Sequence, residues 1–404
     1  MRKLLQINIT ANWGSHGKIA EAIGQQALSL GWESHIAYGR WSNPSQSSLY
    51  HIGSMADEYI HGVFSRIFDN HGLMSAKATK ELVKYIQQIN PDIIHLHNIH
   101  GYYLNYPILF DFLATFNKPV VWTLHDCWSF TGHCAHYMFA NCKKWETGCH
   151  HCPLLSNYPR SFLLDHSKRN YELKKKAFSS VNNLTIIPVS QWLSEEVSRS
   201  FLKNKERVLI YNGIDTDFFS PADNADTVKA KYSIPVHGKI VLGVASNWYR
   251  KGLEDFTWLR ELLPNDYYIV LVGVSAKDKK KLPKTIIGIE RTENVQELIS
   301  LYSAANVFFN PTWEDNFPTV NLEALSCGTP IVTYQTGGSS ESITPETGNV
   351  VPRGDLTASA KIIKSICESR KKRFQKACRE RVVMLFSKQK MLDNYMQLYN
   401  SLSI

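Results

Sequence analysis

The chain lacks several features that assign other proteins quickly to a class. It contains no run of about 18 apolar residues, so no segment is predicted to span a membrane. The GxxxxGK(S/T) spacing of a P-loop is absent, and no dense Arg/Lys motif with interleaved aromatic residues points to nucleic acid. Internal repeats and low-complexity linkers are also missing. These absences leave a globular protein whose ligand sites must be sought on its strands and loops.

Composition indicates a soluble protein of two domains with an acidic ligand. A length of 404 residues is enough for two cores, and 44% hydrophobic with 20% charged residues is ordinary for globular proteins. The formal charge of +9 favours nucleotide-sugar phosphates or anionic lipid headgroups over nucleic acid as partners. The segment Met1–Ile9 has too few apolar residues for a signal peptide, so we expect a cytoplasmic protein.

Short apolar runs alternate with helical stretches along the chain, which predicts α/β architecture with parallel sheets. The predicted strands are Leu4–Ile9, Ser34–Tyr38, Ile93–His97, Val120–His125, Ile186–Ser190, Lys239–Ala245, Tyr268–Gly273, Thr285–Gly288, Val307–Asn310 and Pro330–Tyr334. They form two doubly wound halves, and ligands of such sheets bind beyond the carboxyl ends of the strands.

The two halves predict a domain boundary after residue 188. The first domain then covers residues 1–188, with a Cys/His-rich insertion at residues 127–160, and the second covers residues 189–386. Residues 387–404 contain a predicted last helix, Lys388–Leu402. We expect ligands in the cleft that two such domains form.

The segment Pro311–Val332 places two carboxylates, Asp315 and Glu323, with seven residues between them, around the start of an apolar helix pattern. Backbone N–H groups at a helix N-terminus favour anionic ligands, and a carboxylate there accepts hydrogen bonds from sugar or ribose hydroxyls. The alternative is a capped surface helix, with Asn316 or Thr319 as the cap.

Two turns that follow predicted strands carry residues suited to a ligand. Gly14 and Gly17 flank the start of the first helix, where backbone can approach a phosphate, although a tight βα turn explains the same glycines. His125 and Asp126 end a strand, and side chains at that position point into the ligand crevice. His125 is suited to hydrogen-bond a ligand hydroxyl or to stabilise developing positive charge, and Asp126 to orient the imidazole or engage a second hydroxyl. The alternative for His125 is a structural histidine.

These motifs together resemble the retaining glycosyltransferases of family 4 (GT4), which have the GT-B fold. The resemblance covers nearly the whole chain, and its most specific parts include the Lys251-Gly252 loop and the run Thr123–Cys134. That run narrows the resemblance to enzymes of colanic-acid and capsular-polysaccharide type. It implies two Rossmann-like domains facing a central cleft, with a C-terminal helix crossing back to the first. It also implies that Gly14 and Gly17 face the donor pyrophosphate.

The resemblance implies roles for the acidic segment as well. Asp315, with Glu314 beside it, stands where the family has its first Glu and is expected to hold donor-sugar hydroxyls. Glu323 is expected to hold the ribose of the nucleotide. Phe317 matches a family phenylalanine, whereas Asn316 replaces the glycine before it, which bears on the identity of the donor sugar.

Cations for the leaving diphosphate are expected in the loop after the strand Lys239–Ala245. The family carries an Arg in this loop and a Lys-Gly pair five residues later. This chain has Ser246 at the Arg position, Lys251 at the Lys position and Arg250 beside it. Lys251 and Arg250 are therefore predicted to neutralise the diphosphate, whose negative charge grows toward the transition state. Solvated loop cations are the alternative.

Four cysteines lie within nineteen residues of the insertion: Cys134, Cys142, Cys149 and Cys152. The Cys149-x2-Cys152 spacing is typical of metal knuckles, and stable disulfides are rare in the cytoplasm, so a structural Zn²⁺ is predicted. Free or redox-labile thiols are the alternative. Nearby histidines that are substitute ligands or bystanders are His133, His136, His150 and His151. No metal is expected to take part in catalysis.

The implied reaction transfers a sugar, with retention, from a nucleotide diphosphate sugar of UDP or GDP type. The acceptor is a hydroxyl of an oligosaccharide or undecaprenyl-linked intermediate in surface polysaccharide biosynthesis. The residues expected to act in catalysis are His125, Asp126, Arg250, Lys251 and Asp315. The residues expected to bind the donor are Gly14, Gly17, Ser246, Arg250, Lys251, Glu314, Asp315, Asn316, Phe317 and Glu323. Two alternatives stay open: a GT-B nucleotide-sugar epimerase and a non-catalytic nucleotide-sugar-binding subunit.

One further stretch predicts peripheral contact with the cytoplasmic face of an anionic inner membrane. Residues Ser161–Phe178 combine apolar side chains with a cluster of Lys and Arg, as membrane-surface helices do. The alternative is a half-buried helix of the first domain.

Overall fold

The computed structural model describes residues 1–369 and 371–402, which form two compact units. One unit contains residues 1–210 and the C-terminal segment from Leu392, and the other is Tyr211–Met391. Each unit is built on a parallel sheet whose strands alternate with helices, as predicted. No helix in the described residues combines the length and apolar character needed to cross a membrane.

The strands of the first unit are β1 (Lys3–Ala11), β2 (Glu33–Ser42), β3 (Ser48–His51), β4 (Ile93–Leu96), β5 (Val120–Leu124), β6 (Leu184–Pro188) and β7 (Glu206–Arg207). Its first helices are α1 (Gly14–Ser29), α2 (Met55–Phe68), α3 (Ala76–Ile89), α4 (Tyr106–Leu113), α5 (Ser167–Ser179) and α6 (Gln191–Arg199). The strand order is β3-β2-β1-β4-β5-β6-β7, and all pairs are parallel. The order reverses between β1 and β4, which is where doubly wound sheets bind ligands.

The second unit contains the strands β8 (Lys239–Val244), β9 (Tyr267–Val272), β10 (Ile286–Ile289), β11 (Val307–Asn310), β12 (Ile331–Tyr334) and β13 (Gly348–Val351). Its helices are α7 (Ala225–Lys231), α8 (Leu253–Leu262), α9 (Ala276–Lys279), α10 (Val295–Ala304), α11 (Thr319–Ser326), α12 (Leu356–Glu368) and α13 (Lys372–Leu385). The strand order is β10-β9-β8-β11-β12-β13, again parallel throughout, and it reverses between β8 and β11.

The last helix, α14 (Lys388–Leu402), carries the chain back to the first unit, as predicted. Its Tyr395 and Tyr399 are buried there. The Tyr395 hydroxyl lies 2.9 Å from Thr123 Oγ1, and the Tyr399 hydroxyl lies 2.6 Å from His95 Nδ1. The helix is therefore attached to the central strands β4 and β5 by both packing and hydrogen bonds.

The first unit extends beyond the boundary expected after residue 188. Helix α6 follows β6 and buries Leu193 and Val197, and β7 adds a strand beside β6. These contacts hold the chain on the first sheet as far as Ile210. The second change of unit falls within α14, at Leu392, and not at residue 387.

The stretch expected to lie on a membrane is mostly a helix of the first unit's core. Helix α5 begins at Ser167, and its Tyr171, Lys174 and Phe178 are buried. The expectation of a membrane-surface helix is corrected at this point, because its apolar residues already pack inside the unit. The exposed large apolar residues of this stretch are Phe162, Leu163 and Leu164, which lie in the segment before the helix.

Candidate active site

The candidate site of the second unit lies at the carboxyl ends of β8 and β11, the neighbouring strands where the sheet order reverses. The loop after β8 carries Arg250 and Lys251, and the loop after β11 carries Glu314 and Asp315. Arg250 Nη1 lies 2.7 Å from Glu314 Oε1, and Lys251 Nζ lies 2.6 Å from Asp315 Oδ2. The Lys251 ammonium also donates to the backbone carbonyl of Glu314 at 2.6 Å. The predicted cations and carboxylates therefore come together as two adjacent ion pairs.

Backbone geometry fixes the two loops against each other. Arg250 and Gly252 both adopt left-handed backbone, with φ of 57° and 76°. A Cβ at Gly252 would collide with the carbonyl oxygen of Pro311, so this close approach requires glycine. The Trp313 N–H donates to the carbonyl of Arg250 at 2.9 Å. The charged side chains are thus mounted on two loops with little freedom to separate.

The two ion pairs differ in exposure. The side chains of Arg250 and Glu314 are 11% and 8% exposed, whereas those of Lys251 and Asp315 are 29% and 21% exposed. Since a ligand has to reach the charge it binds, Lys251 and Asp315 are the more accessible pair. Arg250 and Glu314 form the more buried support beside them.

Glu323 lies on α11, in the turn that follows Pro318. Its Oε2 accepts a hydrogen bond from the Tyr302 hydroxyl at 2.9 Å. Burial and the neighbouring Glu323 charge raise the pKa of Tyr302 well above its ordinary value, so the hydroxyl keeps its proton and acts as a donor. The carboxylate that is predicted to bind ribose is therefore oriented by a buried tyrosine.

Three predicted donor-binding residues have different surroundings. Phe317 is buried, and its ring centroid lies 5.0 Å from that of Tyr211 and 5.5 Å from that of Phe386. Asn316 beside it is also buried, whereas Ser246 is exposed in the loop after β8. The geometry gives Phe317 a packing role that shapes the acidic loop, and a direct role for it in donor binding stays a prediction.

In the first unit, histidines gather at the carboxyl ends of β4 and β5. His125 Nε2 lies 3.4 Å from Nδ1 of His97, whose Nε2 lies 3.0 Å from Gln6 Oε1. The ring centroid of His16 lies 6.0 Å from that of His125. Burial, together with His97 and His16, lowers the pKa of His125 well below its ordinary value. His125 is therefore a neutral imidazole at neutral pH, suited to hydrogen bonding with a hydroxyl.

Asp126 has partners for both of its carboxylate oxygens. Its Oδ2 lies 2.8 Å from His100 Nε2, and its Oδ1 accepts from the Trp128 N–H at 2.9 Å. The Tyr158 hydroxyl lies 2.9 Å from His100 Nδ1. Burial alone would raise the pKa of Asp126, but His100 outweighs it by charge and hydrogen bonding and holds the pKa well below its usual range. The imidazole that this ionised carboxylate orients is that of His100.

The predicted phosphate turn is explained largely by packing. A Cβ at Gly17 would lie 2.5 Å from Thr10 Oγ1, so glycine lets α1 approach β1 closely. Gly14 has a φ of 67° and open space where a Cβ would stand. The contact of Gly14 and Gly17 with a donor pyrophosphate stays a prediction, because both glycines serve the turn itself.

Five residues of these contacts are not predicted from the sequence: His16, His97, His100, Tyr158 and Tyr302. A usable signal exists for two of them, because His97 and His100 follow a predicted strand just as His125 does. His16 lies between the predicted Gly14 and Gly17, whereas Tyr158 and Tyr302 reach their partners from other parts of the chain.

Two family models match this chain. Residues 17–218 match the family model described as Glycosyltransferase Family 4, and residues 224–381 match the one described as Glycosyl transferases group 1. The chain belongs to glycosyltransferase family 4. The resemblance stated from its motifs is thereby confirmed, and the protein is a glycosyltransferase.

Two curated relatives of this family 4 chain carry pathway names. It is 25% identical over 425 residues to WcaC of Escherichia coli (strain K12), named as a colanic acid biosynthesis glycosyl transferase, with 99% of this chain and 100% of WcaC covered. It is 24% identical over 234 residues to CapM of Staphylococcus aureus, a capsular polysaccharide biosynthesis glycosyltransferase, with 54% of this chain and 61% of CapM covered.

A solved structure shares the fold of this family 4 chain. Alr3699/HepE of Anabaena, in complex with UDP-glucose, matches with a TM-score of 0.65 at 12% identity, covering 99% of this chain and 100% of the other. The match and the two doubly wound sheets confirm the predicted GT-B fold.

Proposed function

We propose that this protein is a retaining glycosyltransferase of surface polysaccharide biosynthesis. It moves a sugar from a nucleotide diphosphate sugar to a hydroxyl of a lipid-linked oligosaccharide. The observation that carries the proposal is the double ion pair at the reversal point of the second sheet, where Lys251 meets Asp315 and Arg250 meets Glu314. It places cations suited to a diphosphate beside carboxylates suited to sugar hydroxyls.

Donor binding divides between these groups by chemistry. Lys251 and Arg250 neutralise the diphosphate, which gains negative charge as the bond to the sugar breaks. Asp315 accepts hydrogen bonds from sugar hydroxyls, with Glu314 next to it, and Glu323 accepts from the ribose. Before the donor binds, the carboxylates and cations keep each other oriented. The donor then replaces part of each ion pair when it binds.

The names of relatives guide the choice of substrates. The UDP-glucose complex of Alr3699/HepE supports a nucleotide-sugar donor, which we propose to be of UDP or GDP type, and the names of WcaC and CapM support a pathway of surface polysaccharide biosynthesis. An undecaprenyl-linked oligosaccharide is the acceptor that suits such pathways. Neutral His125 hydrogen-bonds a sugar hydroxyl, and ionised Asp126 with His100 engages the acceptor hydroxyl. Because no covalent nucleophile is evident among the described residues, displacement on the same face, assisted by the diphosphate, accounts for retention.

Peripheral membrane contact is part of this proposal, on a surface other than α5. Helix α2 carries exposed apolar residues at helical spacing, and the Phe162 N–H donates to the Arg66 carbonyl at 2.7 Å, which places the next exposed segment beside it. We call the exposed apolar residues of α2 and of this neighbouring segment, taken together, the apolar face of α2. Its residues are Met55, Tyr59, Ile60, Phe64, Phe68, Phe162, Leu163 and Leu164.

The function is tested with the purified full chain and a panel of UDP and GDP sugars. Release of UDP or GDP is followed with and without a lipid extract that contains acceptor, and the anomeric configuration of the product is read by NMR. Acceptor-dependent release with retention supports the proposal. Conversion of the donor sugar without an acceptor identifies an epimerase, and binding without turnover identifies a binding subunit.

A further inference from the structure

The four cysteines of the insertion surround one small cavity in the first unit. They come from irregular segments around two 3-10 turns, Trp128–Phe130 and Lys144–Glu146. All four are free thiols, and Cys134 and Cys152 are close enough to share a hydrogen bond. Thiols that are separated by up to eighteen positions in sequence thus meet at a single point in an irregular segment, where few regular backbone bonds hold the chain.

A backbone N–H group is directed at the sulfur of Cys149, where it favours a negative charge. The Gly132 N–H donates to Cys149 Sγ at 3.2 Å. A Cβ at Gly132 would lie 2.6 Å from Cys149 Cβ, so glycine is what permits the backbone to come this close. An N–H group directed at a sulfur stabilises a thiolate, which is the form of cysteine that binds metal.

Positive groups lie around the same cavity. Lys174 is fully buried, and its ammonium donates to the carbonyls of Trp128 and Thr131 at 2.7 and 3.0 Å. In the part of the chain that the structure describes, no carboxylate lies within ion-pair distance of this ammonium group. Burial lowers the pKa of Lys174 to about 7, whereas charge on Cys149 and Cys134 acts in the opposite direction, so thiolates in this cavity favour the charged ammonium.

His133 adds a second buried polar group. Its Nδ1 lies 2.6 Å from Asp69 Oδ1, whereas its Nε2 is buried and has no hydrogen-bond partner among the described residues. The residue also lines the cavity of the cysteines. A histidine that binds a metal has this arrangement, with one nitrogen held by a carboxylate and the other open, so His133 is the substitute ligand that an experiment has to separate from the four cysteines.

We propose that Cys134, Cys142, Cys149 and Cys152 bind one structural Zn²⁺ in this cavity. Four thiolates on Zn²⁺ leave a net charge of about −2, which the buried Lys174 ammonium partly offsets. Tetrahedral sets of four cysteine sulfurs hold zinc or iron–sulfur centres, and one small cavity favours a single zinc ion. His133 supports the thiolates from outside the set of four ligands.

Binding requires the thiols to turn toward the ion. Within the described residues, no group of three or more His, Cys, Asp or Glu side chains is already arranged to hold a metal. The shared hydrogen bond between Cys134 and Cys152 is a contact that two metal-free thiols make, and loss of their protons replaces it with bonds to the ion. Rotation about the Cα–Cβ bonds is the movement this exchange needs, since all four side chains line the cavity.

A bound ion would hold the insertion in place next to the residues that contact Asp126. The Cys127 N–H donates to the Ala135 carbonyl at 2.9 Å, next to Cys134, and the Ala135 N–H donates to the Tyr158 carbonyl at 3.4 Å. Tyr158 in turn contacts His100, the partner of Asp126. The site is therefore structural, but its loss disturbs the residues that orient this carboxylate.

The test uses the untagged full chain, purified without chelators from cells grown with zinc. Elemental analysis is expected to find about one zinc per chain, and X-ray absorption is expected to find four sulfur neighbours at about 2.3 Å. Titration of the thiols with a mercurial should release one zinc as the four cluster thiols react. Cys149→Ser should lower the zinc content by more than half, whereas Cys367→Ala, a buried cysteine of α12, should leave it unchanged.

The wild-type measurements stand even where a variant fails to fold. A chain without metal, before and after incubation with Zn²⁺, overturns the proposal, whether its thiols are free or Cys134 and Cys152 form a disulfide in mass spectra. Zinc that is retained in both Cys149→Ser and Cys152→Ser also overturns it. A nitrogen neighbour in the absorption spectrum that disappears in His133→Gln overturns the set of four cysteines.

Discussion

Single residues of the candidate site act as pairs across two loops. Lys251 holds both the side chain of Asp315 and the backbone carbonyl of Glu314, so its removal affects a cation and the geometry of the acidic loop together. Arg250 is more buried and is paired with Glu314. The effects of substitutions in this group are therefore expected to be non-additive, because each residue shares contacts with the others.

Lys251→Ala should lower kcat by about 100-fold or more, with a smaller change in KM, because charge on the leaving diphosphate grows toward the transition state. Arg250→Ala should lower turnover less than Lys251→Ala and lower stability more, since it removes one side of the more buried ion pair. Steady-state kinetics with the identified donor measure both effects. Lys239→Ala at the opposite end of β8 is the matched control and should behave as wild type. Equal kinetics for Lys251→Ala and wild type would contradict the assignment.

Glu323→Ala should weaken binding of the donor nucleotide by about 2–3 kcal/mol, roughly 30- to 150-fold, through loss of hydrogen bonds to a charged acceptor. Tyr302→Phe leaves the carboxylate but removes the hydroxyl that orients it, so its loss should be smaller, about 10-fold or less. Calorimetry with the free nucleotide diphosphate measures both. Unchanged affinity in Glu323→Ala would remove the ribose role from this residue.

Residue types at the site are visible in the sequence, but their partners are mostly not. Asp315, Glu323 and Lys251 belong to short local patterns, and strand ends mark His125. Tyr302 reaches Glu323 from another helix, and His97 meets Gln6 across ninety-one positions of sequence. Such contacts follow from strand order, which hydrophobic pattern alone does not specify.

At the scale of elements, the central strands are predicted well because they are buried on both faces. Strand β11 has its predicted bounds, and β4 and β5 end within a residue of theirs, since each is mostly apolar and buried along its whole length. The short strands β3 and β13 are missed because they are partly exposed and carry little apolar signal. Helix α5 begins later than predicted, at Ser167.

The first βα turn permits a test of packing against ligand contact. Gly17→Ala should destabilise the chain by about 1–3 kcal/mol, because its Cβ would overlap Thr10 Oγ1. Gly14→Ala should cost only about 1 kcal/mol, from strained left-handed backbone in open space. Urea unfolding measures the stability, and calorimetry measures donor affinity. A large loss of affinity in Gly14→Ala with normal stability would show that this turn contacts the donor.

The histidines at the edge of the first sheet should make stability fall in acid. Burial lowers the pKa of His16 to about 4, from about 6.5 in the unfolded chain. The unfolded chain then binds more protons as the pH drops below about 6.5, so the contribution of His16 is present above that value and lost below it. The loss should reach about 2 kcal/mol at pH 5.

Urea unfolding at pH 7 and pH 5 measures this effect as a difference between variants. His16→Gln should reduce the loss of stability between the two pH values by about the same 2 kcal/mol. His237→Gln, at an exposed position of the second unit, serves as the control and should leave the loss unchanged. Identical pH dependence in wild type and His16→Gln would mean that His16 is not held neutral.

At the scale of the whole molecule, apolar periodicity indicates two sheets but does not fix where the chain changes unit. Contacts of α6 and β7 carry the first unit to Ile210, and Leu392 begins the return. Periodicity also cannot separate a helix that packs in a core from one that lies on a membrane, because both have an apolar side. The structure distinguishes the two cases, since the aromatic side chains of α5 are buried, whereas most large apolar side chains of α2 are exposed.

The apolar face of α2 therefore gives the prediction for the intact protein. We expect the chain to sediment with vesicles that contain anionic phospholipid, and to bind less as salt increases, because the net charge of +9 adds electrostatic attraction to apolar insertion. Phe64→Ser with Leu163→Ser should weaken this binding by about 10-fold or more, since two exposed apolar side chains are removed. Trp258→Ser, at an exposed position on α8, is the matched control and should bind as wild type does.

Binding that is equal in the double variant and in wild type would place membrane contact elsewhere or remove it. Binding lost in every variant alike would point to general destabilisation, which urea unfolding of the same samples detects.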